Sequence, residues 1–260
     1  MTEQPQHRPG ALGPYDLNGR IALVTGGSSG IGAATAVRLA EAGAIVWVGY
    51  NTGAARAEAL IAGLPGSGHR AVRTPALDSA ALAEAAVALK AAHGKLDVLV
   101  NSAGKTKMVP HGDMDALDDA TFDDILITNV RGVFATIRAF RKLLAASGDA
   151  VVINISSLAA VTGSGSSVAY AASKAAVDTM GMSLGRALGP AIRVIGISPA
   201  AVNTGFVAGR PLAAIERASA AAPLRILAEA DDIALACMGA MQTLRLTTGT
   251  AILVDSGGHL

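Results

Sequence analysis

Seven short, nearly unbroken apolar runs recur along the chain, each followed by a segment with a different rhythm, and this alternation limits the fold more than any other feature. The runs are "RIALVTG" (20–26), "AIVWVGY" (44–50), a stretch at 70–74, "LDVLVN" (96–101), "AVVINIS" (150–156), "IRVIGIS" (192–198) and "TAILVD" (250–255). A strand that is apolar without alternation is buried on both faces, which requires helices above and below it. The intervening segments supply those helices. Apolar residues at helical spacing predict helices over 31–43, 53–63, 79–92, 119–145, 168–188 and 229–243, the first stopping at Gly43, a good C-cap. Strand and helix in alternation predict an α/β fold, a doubly wound parallel sheet of about seven strands. The stretch 202–223 fits neither pattern cleanly and reads as a lid.

The chain has 260 residues, 51% of them hydrophobic, enough for one large core, and no linker or repeat divides it. The domain is expected over 16–260, preceded by a flexible tail at 1–15 rich in Pro, Gly and Gln. A net charge of +1 with 16% charged residues gives no field for nucleic acid and no polybasic patch for a membrane. Cys237 stands alone, and "MTEQPQHRPG" has no apolar core. These features point to a soluble cytoplasmic protein. His7, His69, His93, His111 and His259 are scattered and form no pair at metal-ligand spacing, so no metal is expected. The acidic run "DMDALDDATFDD" (113–124) is explained by the preference of helix starts for carboxylates.

In such a sheet, ligands bind beyond the carboxyl ends of the strands. The first of those loops is "TGGSSGIG" (25–32), where Gly26, Gly30 and Gly32 follow a strand and open a helix. Glycines there let the backbone approach a pyrophosphate resting on the free N–H groups of the helix N-terminus. The spacing is looser than Gly-x-Gly-x-x-Gly. A second feature is "VAYAASKAA" (168–176), in which Tyr170 and Lys174 stand four apart. On a helix they share a face, and a nearby cation favours the phenolate of a tyrosine whose free pKa is about 10. Ser156 and Ser157, at the end of the fifth apolar run, both offer a hydroxyl near that phenol. Asn129 lies within an apolar helical pattern, where an asparagine needs a partner.

"TGGSSGIG", "NSAG" (101–104), Asn129, Ser157 and "YAASK" (170–174) occur in the order of the short-chain dehydrogenases/reductases. "DLNGRIALVTG" and "ILVDSGG" resemble the same family, so the likeness spans about 16–258. It implies a single Rossmann-type domain, NAD or NADP as cofactor, interconversion of alcohols and carbonyls, and a homo-oligomer, a tetramer or dimer. By resemblance, Tyr170 is the general acid/base and Lys174 lowers its pKa and binds the nicotinamide ribose. Family spacing selects Ser157 over Ser156 as the donor that fixes the substrate oxygen, and Asn129 holds a water relaying protons to the lysine. The resemblance also implies cofactor contacts from Gly26, Ser28, Ser29, Gly30, Ile31 and Gly32 in the first loop, and from Tyr50, Asn51 and Thr52 after the second strand. It adds Leu77 and Asp78 beside the adenine, then Asn101, Ala103 and Gly104, and finally Pro199, Val202 and Thr204 at the nicotinamide. Ala200 stands where the family usually has glycine, which bears on the geometry of that loop.

An acidic residue about 20 positions past the glycine loop would bind the NAD ribose and repel the NADP phosphate. "GYNTG" has Asn51 and Thr52 there and no carboxylate, with Arg56 one turn further, which favours NADP over NAD. The substrate is expected to be a small secondary alcohol or ketone, in a pocket bordered by Leu158, Val161, Ala201, Phe206, the lid and "GSGSS" (163–167). A 3-oxoacyl thioester reductase and a sugar or polyol dehydrogenase are alternatives of the same class. A nucleotide-binding regulator without catalysis is the alternative of another class, opposed by the full set Asn129, Ser157, Tyr170 and Lys174.

Overall fold

The structure, a computed structural model, describes residues 13–260. Its strands are β1 (Ile21–Thr25), β2 (Ile45–Tyr50), β3 (Arg70–Arg73), β4 (Val98–Asn101), β5 (Ala150–Ile155), β6 (Ile192–Pro199), β7 (Val202–Asn203), β8 (Ala228–Glu229) and β9 (Thr250–Val254). Its helices are α1 (Gly30–Glu41), α2 (Ala54–Ala62), α3 (Ser79–His93), α4 (Asp119–Leu126), α5 (Gly132–Ser147), α6 (Ala159–Thr162), α7 (Val168–Leu188), α8 (Leu212–Ala221) and α9 (Ala230–Gln242). Seven strands form one parallel sheet in the order β3-β2-β1-β4-β5-β6-β9. The strand order reverses between β1 and β4, and a crevice opens at such a switch point.

The unbroken apolar runs are explained by two cores, one on each face of the sheet. Along β1, Ala22 and Val24 join Leu39 of α1, Val48, Val100 and Ile233 of α9, while Ile21 and Leu23 join Trp47, Leu99, Val152 and Phe140 of α5. Successive side chains point to opposite faces, so both must be apolar when both are covered. α1 packs on α9 over one face, and α3 on α5 over the other. Gly43 follows α1 with φ +85°, a left-handed conformation that stops the helix as its position predicts.

Three features depart from the sequence reading. The helix expected over 119–145 is broken: a π-helical turn, Ile127–Arg131, separates α4 from α5 and carries Asn129. The lid is anchored by a two-stranded parallel ribbon, β7 with β8, that no apolar run announced. The tail expected at 1–15 lies outside the described residues up to residue 12, but Tyr15 is fully buried. Its ring stacks near the guanidinium groups of Arg20 at 4.5 Å and Arg245 at 4.8 Å, and its N–H donates to the Gln242 carbonyl at 2.8 Å. The expected position of His7 also falls outside the described residues. Among those described, no helix is long and apolar enough to cross a membrane, and no three His, Cys, Asp or Glu side chains gather as a metal site.

Candidate active site

A cleft of about 980 Å³ opens at the carboxyl ends of the strands. Its floor begins with the turn from β1 into α1. Gly26 has φ +64°, and a Cβ there would lie 2.8 Å from the backbone of Ala103, so the first loop and the segment after β4 approach as only glycine allows. A Cβ at Gly32 would lie 2.5 Å from the Gly26 carbonyl oxygen, which makes Gly32 a packing residue behind the turn. Ser29 precedes α1 in extended backbone, its side chain caps nothing, and the first turn holds no carboxylate. The N–H groups of that turn are therefore free to receive an anion, and the helix dipole favours one. Cradle and donor set both fit a dinucleotide pyrophosphate.

The second half of the floor is α7. Ser167 caps the helix, its Oγ accepting the Tyr170 N–H at 3.2 Å. One turn on, Lys174 is buried, and its Nζ donates to the Ile155 carbonyl at 2.8 Å and lies 5.6 Å from the centre of the Tyr170 ring. Tyr170 and Ser157 line the same cleft, and the Ser157 hydroxyl favours the ionised form of the phenol. Ser157 Oγ also accepts the Ala159 N–H at 3.2 Å. Ser156 points into the interior, toward the Lys174 carbonyl at 3.4 Å and the Asp178 carboxyl. Both serines border the cleft, but Ser156 is buried with its hydroxyl turned inward, which leaves Ser157 as the one with a hydroxyl to offer there.

The electrostatics differ from the expectation. Burial pushes the Tyr170 phenol above its ordinary pKa, and the Ser157 hydrogen bond and the Arg210 charge only pull it partway back. Burial instead draws the Lys174 ammonium down to about 8, against the opposing pull of Asp178. A phenol raised in this way keeps its proton and is able to donate it.

Asn129 is satisfied on all sides. Its Oδ1 accepts the Lys105 N–H at 2.8 Å, and its Nδ2 donates to the Lys105 carbonyl at 2.9 Å and to Ser173 Oγ at 2.9 Å. Ser173 Oγ in turn donates to the Tyr170 carbonyl at 2.7 Å. The asparagine side chain is committed to fastening the segment after β4 and α7 together. Lys105 and Ser173 were missed in the sequence; the sole signal was a serine within "YAASK", a poor helix-interior residue without a partner.

The cleft is lined by Gly26, Ser28, Ser29, Gly30 and Ile31, by Tyr50, Asn51 and Thr52, by Ala103 and Gly104, and by Pro199, Ala200, Ala201, Val202 and Thr204. Ser157, Leu158, Tyr170, Lys174 and Phe206 line it as well, as do Ser164 to Ser166 of the glycine-serine turn. Phe206 stacks near Tyr170, ring centres 6.0 Å apart. Several expected residues do not reach the cleft. Asp78 caps α3 by accepting the Ala81 N–H at 3.0 Å and pairs with Arg73, while Leu77 is exposed; Thr74 and Ala76 border the cleft in their place. Asn101 is buried between strands, its Nδ2 donating to Asn154 Oδ1 at 2.9 Å. Val161 sits on the outer side of α6 and is 61% exposed. Thr128 and Arg210 line the cleft and were not anticipated from the sequence.

Comparison with known proteins agrees with this geometry. A profile of the short chain dehydrogenase family matches residues 20–212. A Streptomyces violaceoruber protein assigned as a ketoacyl reductase of the granaticin polyketide synthase is 37% identical, over 92% of this chain and 96% of its own. A cis-4-hydroxycyclohexanecarboxylate dehydrogenase of Sinomonas cyclohexanicum is 33% identical, over 92% of this chain and 96% of its own. Among solved structures, a dehydrogenase/reductase from Sinorhizobium meliloti superposes with a TM-score of 0.82 at 31% identity, covering 94% of this chain and 98% of that one.

Proposed function

The chain belongs to the short-chain dehydrogenase family, and on that footing we propose how its cleft interconverts a secondary alcohol and a ketone. The observation that carries the reading is that Ser157, Tyr170 and Lys174 line the same cleft as the glycine cradle. When bound, a nicotinamide cofactor supplies or accepts a hydride. The remaining work falls to the chain. In reduction, Ser157 donates to the carbonyl oxygen and holds it beside the Tyr170 phenol. Tyr170 then gives its proton to the oxygen as negative charge develops there, which its protonated resting state permits. Lys174, buried beneath the ring, stabilises the phenolate that results. Asn129 keeps α7 in register through Ser173. In oxidation the same proton returns to Tyr170. Phe206 and Leu158 exclude water from one side.

The cofactor is read as NADP. Arg56 lies over the mouth of the first loop: a Cβ at Gly53 would stand 2.6 Å from Arg56 Nη2 and 2.9 Å from Ser28 Oγ. A guanidinium beside a serine hydroxyl, with Asn51 and Thr52 next to them, is a donor set for a ribose phosphate. Arg56→Ala is expected to weaken NADPH binding about tenfold and leave NADH binding nearly unchanged, measured by titration of each cofactor. Equal losses for both would assign NAD instead.

The substrate is read as a secondary alcohol or ketone with an apolar body, supported by Leu158, Phe206, Leu212 and Ile215 in the cleft wall and by relatives named for ketoacyl and hydroxycyclohexanecarboxylate substrates. Following reduced nicotinamide by absorbance, with both cofactors and a panel of cyclic ketones, oxoacyl thioesters and polyols, tests it. Tight cofactor binding with no turnover across the panel would favour a non-catalytic regulator. Self-association is the accompanying proposal. Phe134, Met180 and Leu184 line a shallow apolar groove between α5 and α7 that suits a second copy, and light scattering gives the assembly size. A reducing cytoplasm is the proposed setting, consistent with the lone, buried Cys237.

A further inference from the structure

Charge in the cleft is unevenly distributed. Its lining carries four formally charged side chains: Arg56, Lys174, Arg210 and Asp255. Three are accounted for. Arg56 stands at the adenosine end beside Ser28. Lys174 Nζ is bound to the Ile155 carbonyl. Asp255 accepts N–H groups from Gly257 at 3.1 Å and His259 at 3.0 Å, and the His259 ring at 2.7 Å. Arg210, like Arg56, forms no ion pair among the described residues, and it is the one of the two that lies in the lid beside Phe206 and Leu212. It is nevertheless partly buried: its N–H donates to the Val207 carbonyl at 3.2 Å, and Pro211, the N-cap of α8, restricts its backbone to extended forms. It lines the cleft four residues after Phe206, whose ring centre lies 6.0 Å from that of Tyr170, which puts this part of the lid at the reacting end.

Resting on the oxidoreductase reading of this cleft, we propose that Arg210 selects an anionic substrate, a ketone or secondary alcohol carrying a carboxylate on the side of the molecule that faces the lid. The guanidinium matches a carboxylate with two parallel N–H donors. The surrounding Phe206, Leu212 and Ile215 take up the apolar body and reduce competition from water. A neutral substrate leaves the arginine unmatched.

The test pairs turnover with binding. The NADPH-loaded enzyme is titrated calorimetrically with cyclohexanecarboxylate and cyclohexanecarboxamide, and its turnover of 4-oxocyclohexanecarboxylate is compared with that of the methyl ester. The carboxylate is expected to bind about ten- to a hundredfold more tightly than the amide, and the acid to exceed the ester in kcat/KM by a similar factor. Arg210→Met should bring both ratios close to one, and Arg210→Lys should restore part of each. The proposal is overturned by equal binding of acid and amide, by no binding of the acid up to its solubility, or by an unchanged acid preference in Arg210→Met. Loss of NADPH affinity in that variant with the acid preference intact would assign the arginine to the cofactor. Absent turnover of either ketone alongside an intact binding preference would overturn the oxidoreductase reading and leave the anion site standing.

Discussion

The floor and the roof of the cleft are built on different principles. In the floor, α7 buries Ala169, Ala171, Ser173, Lys174, Val177, Gly181 and Gly185, and each functional side chain is held by a group distant in sequence. Lys174 reaches Ile155, and Asn129 reaches Lys105 and Ser173. In the roof, α8 buries only Ile215. Its backbone bonds are mostly local, such as Arg210 N–H to the Val207 carbonyl and Ala214 N–H to the Pro211 carbonyl. The β7–β8 ribbon ties it down at its base. A segment with few tertiary partners opens at low free-energy cost and tolerates substitution. The proposed mechanism puts proton transfer where geometry is over-determined, and substrate choice where it is not.

Breaking the floor should have the largest effects. Tyr170→Phe removes the transferable proton and keeps the ring against Phe206. Turnover should fall by about a thousandfold or more while cofactor affinity holds, and a rate near wild type would reassign the acid. Asn129→Ala comes next. It strands the backbone N–H and carbonyl of Lys105. A stability loss of about 2 kcal/mol in denaturant titration, with a lowered kcat, is the expected outcome. If KM alone rises, the asparagine belongs to the roof's logic instead. Phe206→Ala is the matching change in the roof. The ring is 42% exposed, so the melting temperature should stay put while KM rises about tenfold and the substrate profile broadens. A large loss of stability there would erase the distinction between the two halves.

The same division decides what could be read from sequence. The sheet was legible because burial on both faces leaves runs like "ALVT" with no polar alternation, a one-dimensional record of a three-dimensional condition. Ser157, Tyr170 and Lys174 were legible through the resemblance and through helical spacing. The π-helical turn at Ile127–Arg131 was not, because it exists to satisfy an asparagine whose partner, Lys105, is 24 residues away. Asp78 carried two readings, beside the adenine and as a helix cap, and the bond to the Ala81 N–H is the cap. Arg210 had no legible signal. The role proposed for it depends on the path of the lid, which no periodicity encodes.

The smallest effect concerns the ammonium in the floor. Burial lowers the Lys174 pKa from 10.5 to about 8. Between those values the unfolded chain binds a proton that the folded chain has released, so this group makes stability increase as pH rises through that window. Below pH 8 both states carry the proton, and the burial penalty is present in full. Tyr170, raised by burial, opposes the trend only once free tyrosine begins to ionise near pH 10. Chemical denaturation at intervals from pH 7.5 to 9.5 should therefore show wild type gaining stability relative to Lys174→Met, with a slope of at most about 1.4 kcal/mol per pH unit. The roof offers the control. Arg210→Met should run parallel to wild type over the same range, since a guanidinium keeps its charge throughout. If instead Lys174→Met ran parallel and Arg210→Met diverged, the buried charge that shapes the floor would have been assigned to the wrong half of the cleft.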